Sequence, residues 1–183
     1  FPQAEPPNPE RARHALRQTW SASLPPGHPG AWPLQRYLAG RGLDASVLNP
    51  RVVRFHPTLE YWSRDQNDRS IRIDRFPAML ALVSDPDGRP LTLHRTYLRH
   101  DGLGKAPVPS PKKLMPHAQS GPFSGAAIRL FADGASGHAE LGVAEGIETA
   151  LAVHAMTGRT VWACLSATLL QGFRPPEGTR RLS

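Results

Sequence analysis

Apolar residues recur three and four positions apart in two segments near the start of the chain. The first segment covers residues 11–21 and is ended by the Pro-Pro-Gly cluster at residues 25–27. The second runs from about residue 32 to residue 40, where a glycine ends it. The pattern predicts two short amphipathic helices, which follow a flexible, proline-rich lead-in over residues 1–10.

Two segments, the apolar residues 78–83 and the alternating residues 91–98, predict the strands of a β-hairpin. The Asp-Pro-Asp-Gly sequence at residues 85–88 favours a tight reversal between them. An earlier strand is predicted over residues 52–55, where the proline two positions later ends it. The polar and charged residues 62–74 are expected to form a surface loop.

The second strand of the predicted hairpin has a polar, partly basic face that includes His94 and Arg95. Both side chains have the chemistry to contact a phosphate group. A purely structural role in the hairpin explains them equally well.

The chain's three lysines, Lys105, Lys112 and Lys113, all fall in the proline-rich segment 101–122. A loop of this length inside a compact domain is usually functional or disordered. Its prolines make it stiff, which favours a loop that holds the lysines towards an anionic ligand. The alternative is a solvated basic loop without a ligand.

From residue 126 onward the pattern changes to alternating strands and helices. Gly158 suits the position that follows a helix, because glycine adopts the left-handed conformation easily. A strand, helix and strand in succession predict a parallel sheet. The predicted elements are strands at 127–131, 140–144 and 160–165, a turn at 133–137, a helix at 146–157 and a further strand beginning near 182.

Two carboxylates lie where a buried strand turns into a helix, at Glu145 and Glu148. Ligands of parallel sheets gather at the carboxyl ends of the strands, so this junction is a candidate magnesium site. We expect Glu148 to lie one helical turn beyond Glu145 and to face roughly the same way. Stabilisation of the helix dipole is the alternative role for Glu145. Ser166 and Thr168, at the end of the next strand, form a candidate anion site.

The net charge of +7 and the pI near 10.5 favour a polyanionic partner such as nucleic acid. Arginine supplies most of the basic residues, and a high-GC genome, which raises arginine content without a functional reason, is a strong alternative explanation for that part of the charge. The single cysteine, Cys164, excludes an internal disulfide and lies in an apolar run that predicts burial. No segment has the length of a membrane span, and no signal peptide is visible, so we expect a cytoplasmic protein.

Residues 143–151, Val-Ala-Glu-Gly-Ile-Glu-Thr-Ala-Leu, resemble the first motif of the TOPRIM domain of DNA primases and topoisomerases. The segment 110–114 is similar to the lysine-containing loop that precedes this domain in bacterial primases, and residues 86–90 are similar to their preceding hairpin. Residues 163–167 resemble the small-residue segment after their second strand. The likeness covers about residues 30–183 and is greatest to primases and primase-helicases of phages, plasmids and other mobile elements.

The resemblance implies an α+β N-terminal subdomain followed by an incomplete α/β TOPRIM domain with a parallel sheet. The implied parts are a linker and helix at 1–28, a primase subdomain with hairpin and basic loop at 29–125, and the first part of TOPRIM at 126–183. In this family a later Asp-x-Asp motif completes the metal site, and we expect it to follow Ser183.

The resemblance further implies that the full-length protein makes short RNA primers on single-stranded DNA from ribonucleoside triphosphates. Glu145 would be catalytic and, with Glu148, would hold Mg²⁺ or Mn²⁺, while the lysines, with His94 and Arg95, would contact phosphates. A replicative helicase is an expected partner, and the fragment alone is expected to be inactive. Two other classes stay open: a non-catalytic single-stranded DNA-binding or protein-docking module, and a TOPRIM nuclease.

Overall fold

The computed structural model describes residues 8–116, 125–131, 140–176 and 179–183. Its first two helices are α1 (Pro9–Ser21) and α2 (Trp32–Ala39). Helix α1 begins after Asn8, whose side-chain oxygen accepts a hydrogen bond from the Glu10 amide and so caps the helix. Both helices agree with the predicted segments, since each has a local apolar pattern and a clear stop signal.

A four-stranded antiparallel sheet follows, with its strands in sequence order. Its strands are β1 (Val53–Arg64), β2 (Ser70–Ser84), β3 (Pro90–Tyr97) and β4 (Lys112–Leu114). The hairpin of β2 and β3 confirms the prediction. At its turn the Asp85 carboxylate accepts a hydrogen bond from the Arg89 amide, and Gly88 has a φ of +83° that favours glycine.

The predicted end of the first strand at Pro57 and the predicted loop at 62–74 were wrong. Strand β1 continues past the proline because a shift in register between His56 and Leu59 accommodates the missing amide. The chain then reverses over a short turn, where the Asp65 carboxylate accepts hydrogen bonds from the amides of Asn67 and Arg69. Two long paired strands therefore replace the expected loop.

The basic segment is also more regular than predicted. Strand β4 pairs with β3 and places Lys112 opposite Thr96 and Lys113 opposite Arg95. These two lysines therefore lie on an edge strand and not in an irregular loop. Lys105 precedes that strand, and its backbone bridges Leu98. The last part of the expected loop, residues 117–122, lies outside the described residues.

The end of the chain forms a second sheet, of parallel strands, with two helices. The elements are β5 (Glu140–Ala144), α3 (Ile147–Thr157), β6 (Val161–Ala163), α4 (Ala167–Gln171) and β7 (Arg181–Leu182). The strand order is β6-β5-β7, and β7 confirms the strand expected near residue 182. Helix α3 is followed by Gly158, which has a φ of +69°, as predicted.

The prediction of a regular strand at residues 127–131 was wrong. Ala127 makes an isolated bridge to Ser84 of the first sheet, and Ile128 makes another to Ala163 of the second. This segment therefore connects the two sheets instead of pairing along either of them. The predicted turn at 133–137 lies outside the described residues.

The first sheet separates two hydrophobic cores. On one face, Met79 and Ala81 pack with α2 and with residues of the second sheet and α3. On the other face, Leu80 and Leu93 pack with the apolar side of α1, including Trp20. The molecule is thus an α+β N-terminal part joined to an α/β part with a parallel sheet, as predicted. Within the described residues, no helix is both long and apolar enough to cross a membrane.

Candidate functional site

A cluster of polar side chains from both parts of the molecule surrounds Glu148, in the first turn of α3. The hydroxyl of Tyr37, on α2, donates a 2.7 Å hydrogen bond to Glu148 Oε1. Lys112 Nζ lies 3.0 Å from Oε2, and Lys105 Nζ lies 3.5 Å from Oε1. Two of the three predicted phosphate-binding lysines thus converge on one of the two predicted metal-binding carboxylates.

The surroundings keep Glu148 ionised. Burial opposes its charge, but hydrogen bonds from Tyr37 and the backbone, together with the charge of Lys112, lower the pKa of Glu148 to about 2. Burial and the hydrogen bond to Glu148 raise the pKa of Tyr37. Burial also lowers the pKa of Lys105. The side chain of Glu148 is 19% exposed, so the ion pairs are shielded from solvent on most sides.

Sequence reasoning missed the role of Tyr37. Its helical spacing assigned it to the apolar face of α2, and it is fully buried. Its hydroxyl nevertheless reaches a carboxylate 111 residues later in the chain. No local pattern relates these two positions, because the contact depends on how α2 packs against α3.

His94 belongs to the same face of the first sheet as the Glu148 cluster. It lies opposite Ala81 on β2, and its side chain is buried. Its Nδ1 atom and the Thr96 hydroxyl have no hydrogen-bond partner in the described part of the chain. Burial, and then the charge of Lys112, lower the pKa of His94 to about 4. The imidazole is therefore neutral near pH 7 and presents a hydrogen-bonding group instead of a positive charge.

Glu145 has different surroundings. It follows β5 directly and is exposed, and it has no hydrogen bond or ion pair with any residue that the structure describes. Helix α3 starts only at Ile147, after the extended Gly146. The expected helical spacing between Glu145 and Glu148 was therefore wrong, because Glu145 precedes the helix.

The other two predicted phosphate contacts, Lys113 and Arg95, lie on the opposite face of the sheet. Lys113 Nζ donates a 2.6 Å hydrogen bond to the Trp62 carbonyl and lies 4.3 Å from the centre of the Tyr61 ring. Arg95 donates to the Leu114 carbonyl at 2.7 Å. Both cations are held by contacts within the first sheet and are separated from Glu148 by the strands.

The candidate anion site also has an internal contact. The Ser166 hydroxyl accepts a 3.2 Å hydrogen bond from the Leu169 amide and so caps α4, which has five residues. Thr168 is exposed on that helix. The Ser166 oxygen thus satisfies a helix amide that an anion would otherwise meet.

The donor set favours Glu145 over Glu148 as a ligand for a divalent cation. Glu145 presents an exposed carboxylate, whereas both oxygens of Glu148 are engaged by Tyr37 and two lysines. Over residues 8–116, 125–131, 140–176 and 179–183, no group of three or more His, Cys, Asp or Glu side chains is placed to hold a metal. Magnesium often uses one or two carboxylates together with water and substrate phosphates, so Glu145 fits as one ligand.

Two solved structures share the fold of this chain. One is described as the structure of the DnaG catalytic core, with a TM-score of 0.54 and 16% identity, covering 95% of this chain and 59% of that chain. The other is the DnaG primase catalytic domain bound to ssDNA, with a TM-score of 0.56 and 18% identity, covering 94% of this chain and 61% of that chain. The chain thus spans about three fifths of the length of either structure. At identities this low, the likeness shows a common fold and nothing further.

Comparison of the sequence with protein families gives two adjacent matches. Residues 140–183 match the Toprim domain, which confirms the resemblance seen at residues 143–151. Residues 10–129 match a family described as a domain of unknown function, DUF7146. No curated protein matches the sequence. The chain therefore belongs to the DUF7146 family, and a Toprim segment follows its DUF7146 domain.

Proposed function

We propose that this chain is part of a DNA primase core and that it binds the phosphates of single-stranded DNA or of ribonucleoside triphosphates. The observation that carries this proposal is the cluster in which Lys105 and Lys112 meet Glu148. It joins the edge of the DUF7146 sheet to the first helix of the Toprim segment. The shared fold with DnaG catalytic cores supports the same conclusion.

The cluster provides a positioned pair of cations. Lys105 and Lys112 have exposed fractions of 34% and 39%, so solvent and ligands reach both side chains. Glu148 holds the two ammonium groups close together, against their mutual repulsion. A phosphate with several negative oxygens would share these groups with Glu148 through charge-assisted hydrogen bonds. Glu148 would then act as a positioning residue for the lysines.

Glu145 is the proposed catalytic carboxylate. When bound, a magnesium or manganese ion would stabilise the attacking and leaving oxygens of nucleotidyl transfer. Glu145 would supply one of its ligands, since its side chain is exposed beyond the end of β5. His94, neutral and buried beside the lysines, would offer a hydrogen bond to a bound nucleotide without adding charge.

The chain alone is proposed to bind metal weakly and not to prime. Beyond Glu145 its acidic residues are Glu148 and Glu177, with no Asp-x-Asp motif between residues 146 and 183. One exposed carboxylate is a weak magnesium site in competition with water. A mobile-element origin, a helicase partner and a cytoplasmic location stay predictions.

The proposal is tested by binding a labelled single-stranded oligonucleotide at low salt, measured by fluorescence anisotropy. The Lys105→Gln/Lys112→Gln variant is expected to bind about tenfold more weakly, since each lost phosphate contact reduces counterion release. The matched control is Arg11→Gln/Arg69→Gln, which removes the same charge at two exposed positions outside the cluster, one on α1 and one in the turn between β1 and β2. If both variants lost the same affinity, the net positive charge of the protein, and not the lysine cluster, would explain the binding. That result would overturn the proposal.

A second assay distinguishes the remaining function classes. The chain is incubated with Mg²⁺, ribonucleotides and a single-stranded template, and the products are separated by size. We expect no incorporation and an intact template. Incorporation would contradict the proposed need for further carboxylates, and shortened template would favour the nuclease class. A non-catalytic binding module would be favoured if longer forms of the protein also bound single-stranded DNA specifically but neither incorporated ribonucleotides nor cut the template.

A further inference from the structure

A cavity of about 480 Å³ lies between α1 and the ends of β2 and β3. Its apolar lining includes Trp20 together with Leu82, Leu91 and Leu93. The volume is within the range of pockets that bind ligands in proteins. Its location shows that it does not belong to the Glu148 cluster. Leu93 and His94 are successive residues of β3 and therefore face opposite sides of the sheet.

Three arginines, Arg13, Arg17 and Arg51, line the same cavity. Among the residues that the structure describes, none of their guanidinium groups has a hydrogen bond or ion pair. Arg72 and Arg75, in contrast, both have a carboxylate partner, since each pairs with Glu60. Arg13 and Arg17 are four residues apart on α1, where two like charges destabilise a helix. The cavity therefore combines an apolar interior with positive charge that the described part of the chain does not balance.

The lining distinguishes between two kinds of anionic ligand. A nucleobase has several donors and acceptors along its edge, and burying them without partners is unfavourable. Two hydroxyl side chains line the cavity, and that of Thr92 already donates a buried 2.8 Å hydrogen bond to the Met115 carbonyl. The arginine guanidinium groups donate but cannot accept hydrogen bonds, so the N–H groups of a base would depend on the hydroxyl oxygens of Ser21 and Thr92 as side-chain acceptors in this lining. An aliphatic or aromatic side chain, in contrast, needs no such partners.

We propose that this cavity docks an acidic peptide segment of a partner protein. A large apolar side chain of the peptide fills the space beside Trp20, and neighbouring carboxylates pair with Arg13, Arg17 and Arg51. Tryptophan and arginine are the residues that most often dominate the binding energy of protein interfaces. The charge complementarity and the apolar floor together select a peptide with both features.

The proposal is tested by peptide display against the whole chain. A random 12-residue library is selected on the wild-type protein and counterselected on the Arg13→Glu/Arg17→Glu variant, whose glutamates keep good helix propensity. We expect enriched peptides to combine Asp or Glu with a large apolar residue. Synthetic copies should bind with micromolar affinity and lose at least tenfold in the variant.

A charge-reversal control outside the cavity and binding measurements with nucleotides test whether the peptide binds specifically at these arginines. Charge reversal of Arg11, on the same helix but outside the cavity, should change peptide affinity less than threefold. Circular dichroism checks that the variants stay folded. The proposal is overturned if no acidic, apolar peptides are enriched, or if the selected peptides bind the Arg13→Glu/Arg17→Glu variant equally well. It is also overturned if ATP or a short oligonucleotide, instead of peptide, shows binding that depends on these arginines.

Discussion

Lys112 and Lys113 are neighbours in the sequence but lie on opposite faces of the first sheet. Lys112 points to the Toprim side, where it meets Glu148 and is near Lys105. Lys113 points to the other side and is held by the Trp62 carbonyl and the Tyr61 ring. Successive residues of a strand alternate in direction, so adjacent charges separate in space. A basic cluster in a sequence therefore does not establish a basic site in the folded protein.

The largest change in stability is expected when the carboxylate on the Lys112 face of the sheet is neutralised. Glu148→Gln should reduce the free energy of unfolding by about 3 kcal/mol, because two lysines lose their shielded counter-charge. Urea denaturation measures the change. The matched control is Glu145→Gln, which should change stability by less than about 0.5 kcal/mol, as at an exposed position without partners. Equal effects of the two substitutions would contradict the different surroundings assigned to these glutamates.

The second prediction concerns pH and His94. Its pKa in the folded protein is about 4, below the ordinary value of 6.5, so the unfolded chain binds the proton more readily between these pH values. Stability should therefore be complete above pH 6.5 and decline as the pH falls towards 4, with about 2 kcal/mol lost between pH 7 and pH 5.

His94→Gln should remove this part of the pH dependence. The measurement is a series of urea denaturation curves from pH 7.5 to pH 5 for both proteins. Glu148 titrates at lower pH in the folded state, since its pKa is about 2, and contributes little over this range. Parallel curves for wild type and variant would show that His94 is not the titrating group.

The fold was predictable where the pattern is local. Helices α1 and α2 and the β2–β3 hairpin each have their periodicity and stop signals within the segment itself. The β5-α3-β6 unit was predictable for the same reason. Strand β4 and the far end of β1 were not, because a three-residue strand and a polar, proline-containing strand become regular only through pairing with a neighbouring strand, which their own residue pattern does not show.

The site was predictable in its residue types but not in its arrangement. Lys105, Lys112 and Glu148 were each identified from the sequence, with separate ligands expected for the lysines and the carboxylate. Their mutual contact depends on the packing of the first sheet against α3, which no local spacing encodes. The participation of Tyr37 was missed because a tyrosine on an apolar stripe is indistinguishable from an ordinary core residue.

A smaller effect is expected at Tyr37. Tyr37→Phe should reduce the free energy of unfolding by about 1 kcal/mol, because one hydrogen bond to an ionised group is lost while the buried ring is kept. Thermal or urea denaturation measures it. In the Glu148→Gln background the same substitution should cost less, since the charged acceptor is gone. Additive effects of the two substitutions would show that the hydrogen bond contributes nothing to the cluster.

Under the proposed function, Lys112 contacts phosphate and Lys113 does not. The most direct test is the salt dependence of single-stranded DNA affinity for Lys112→Gln and Lys113→Gln, measured side by side. For single strands, the slope of log affinity against log salt changes by about 0.7 for each phosphate contact. We predict a slope shallower by about that amount for Lys112→Gln and no change for Lys113→Gln. The same change in both variants, or a change in Lys113→Gln alone, would contradict the account.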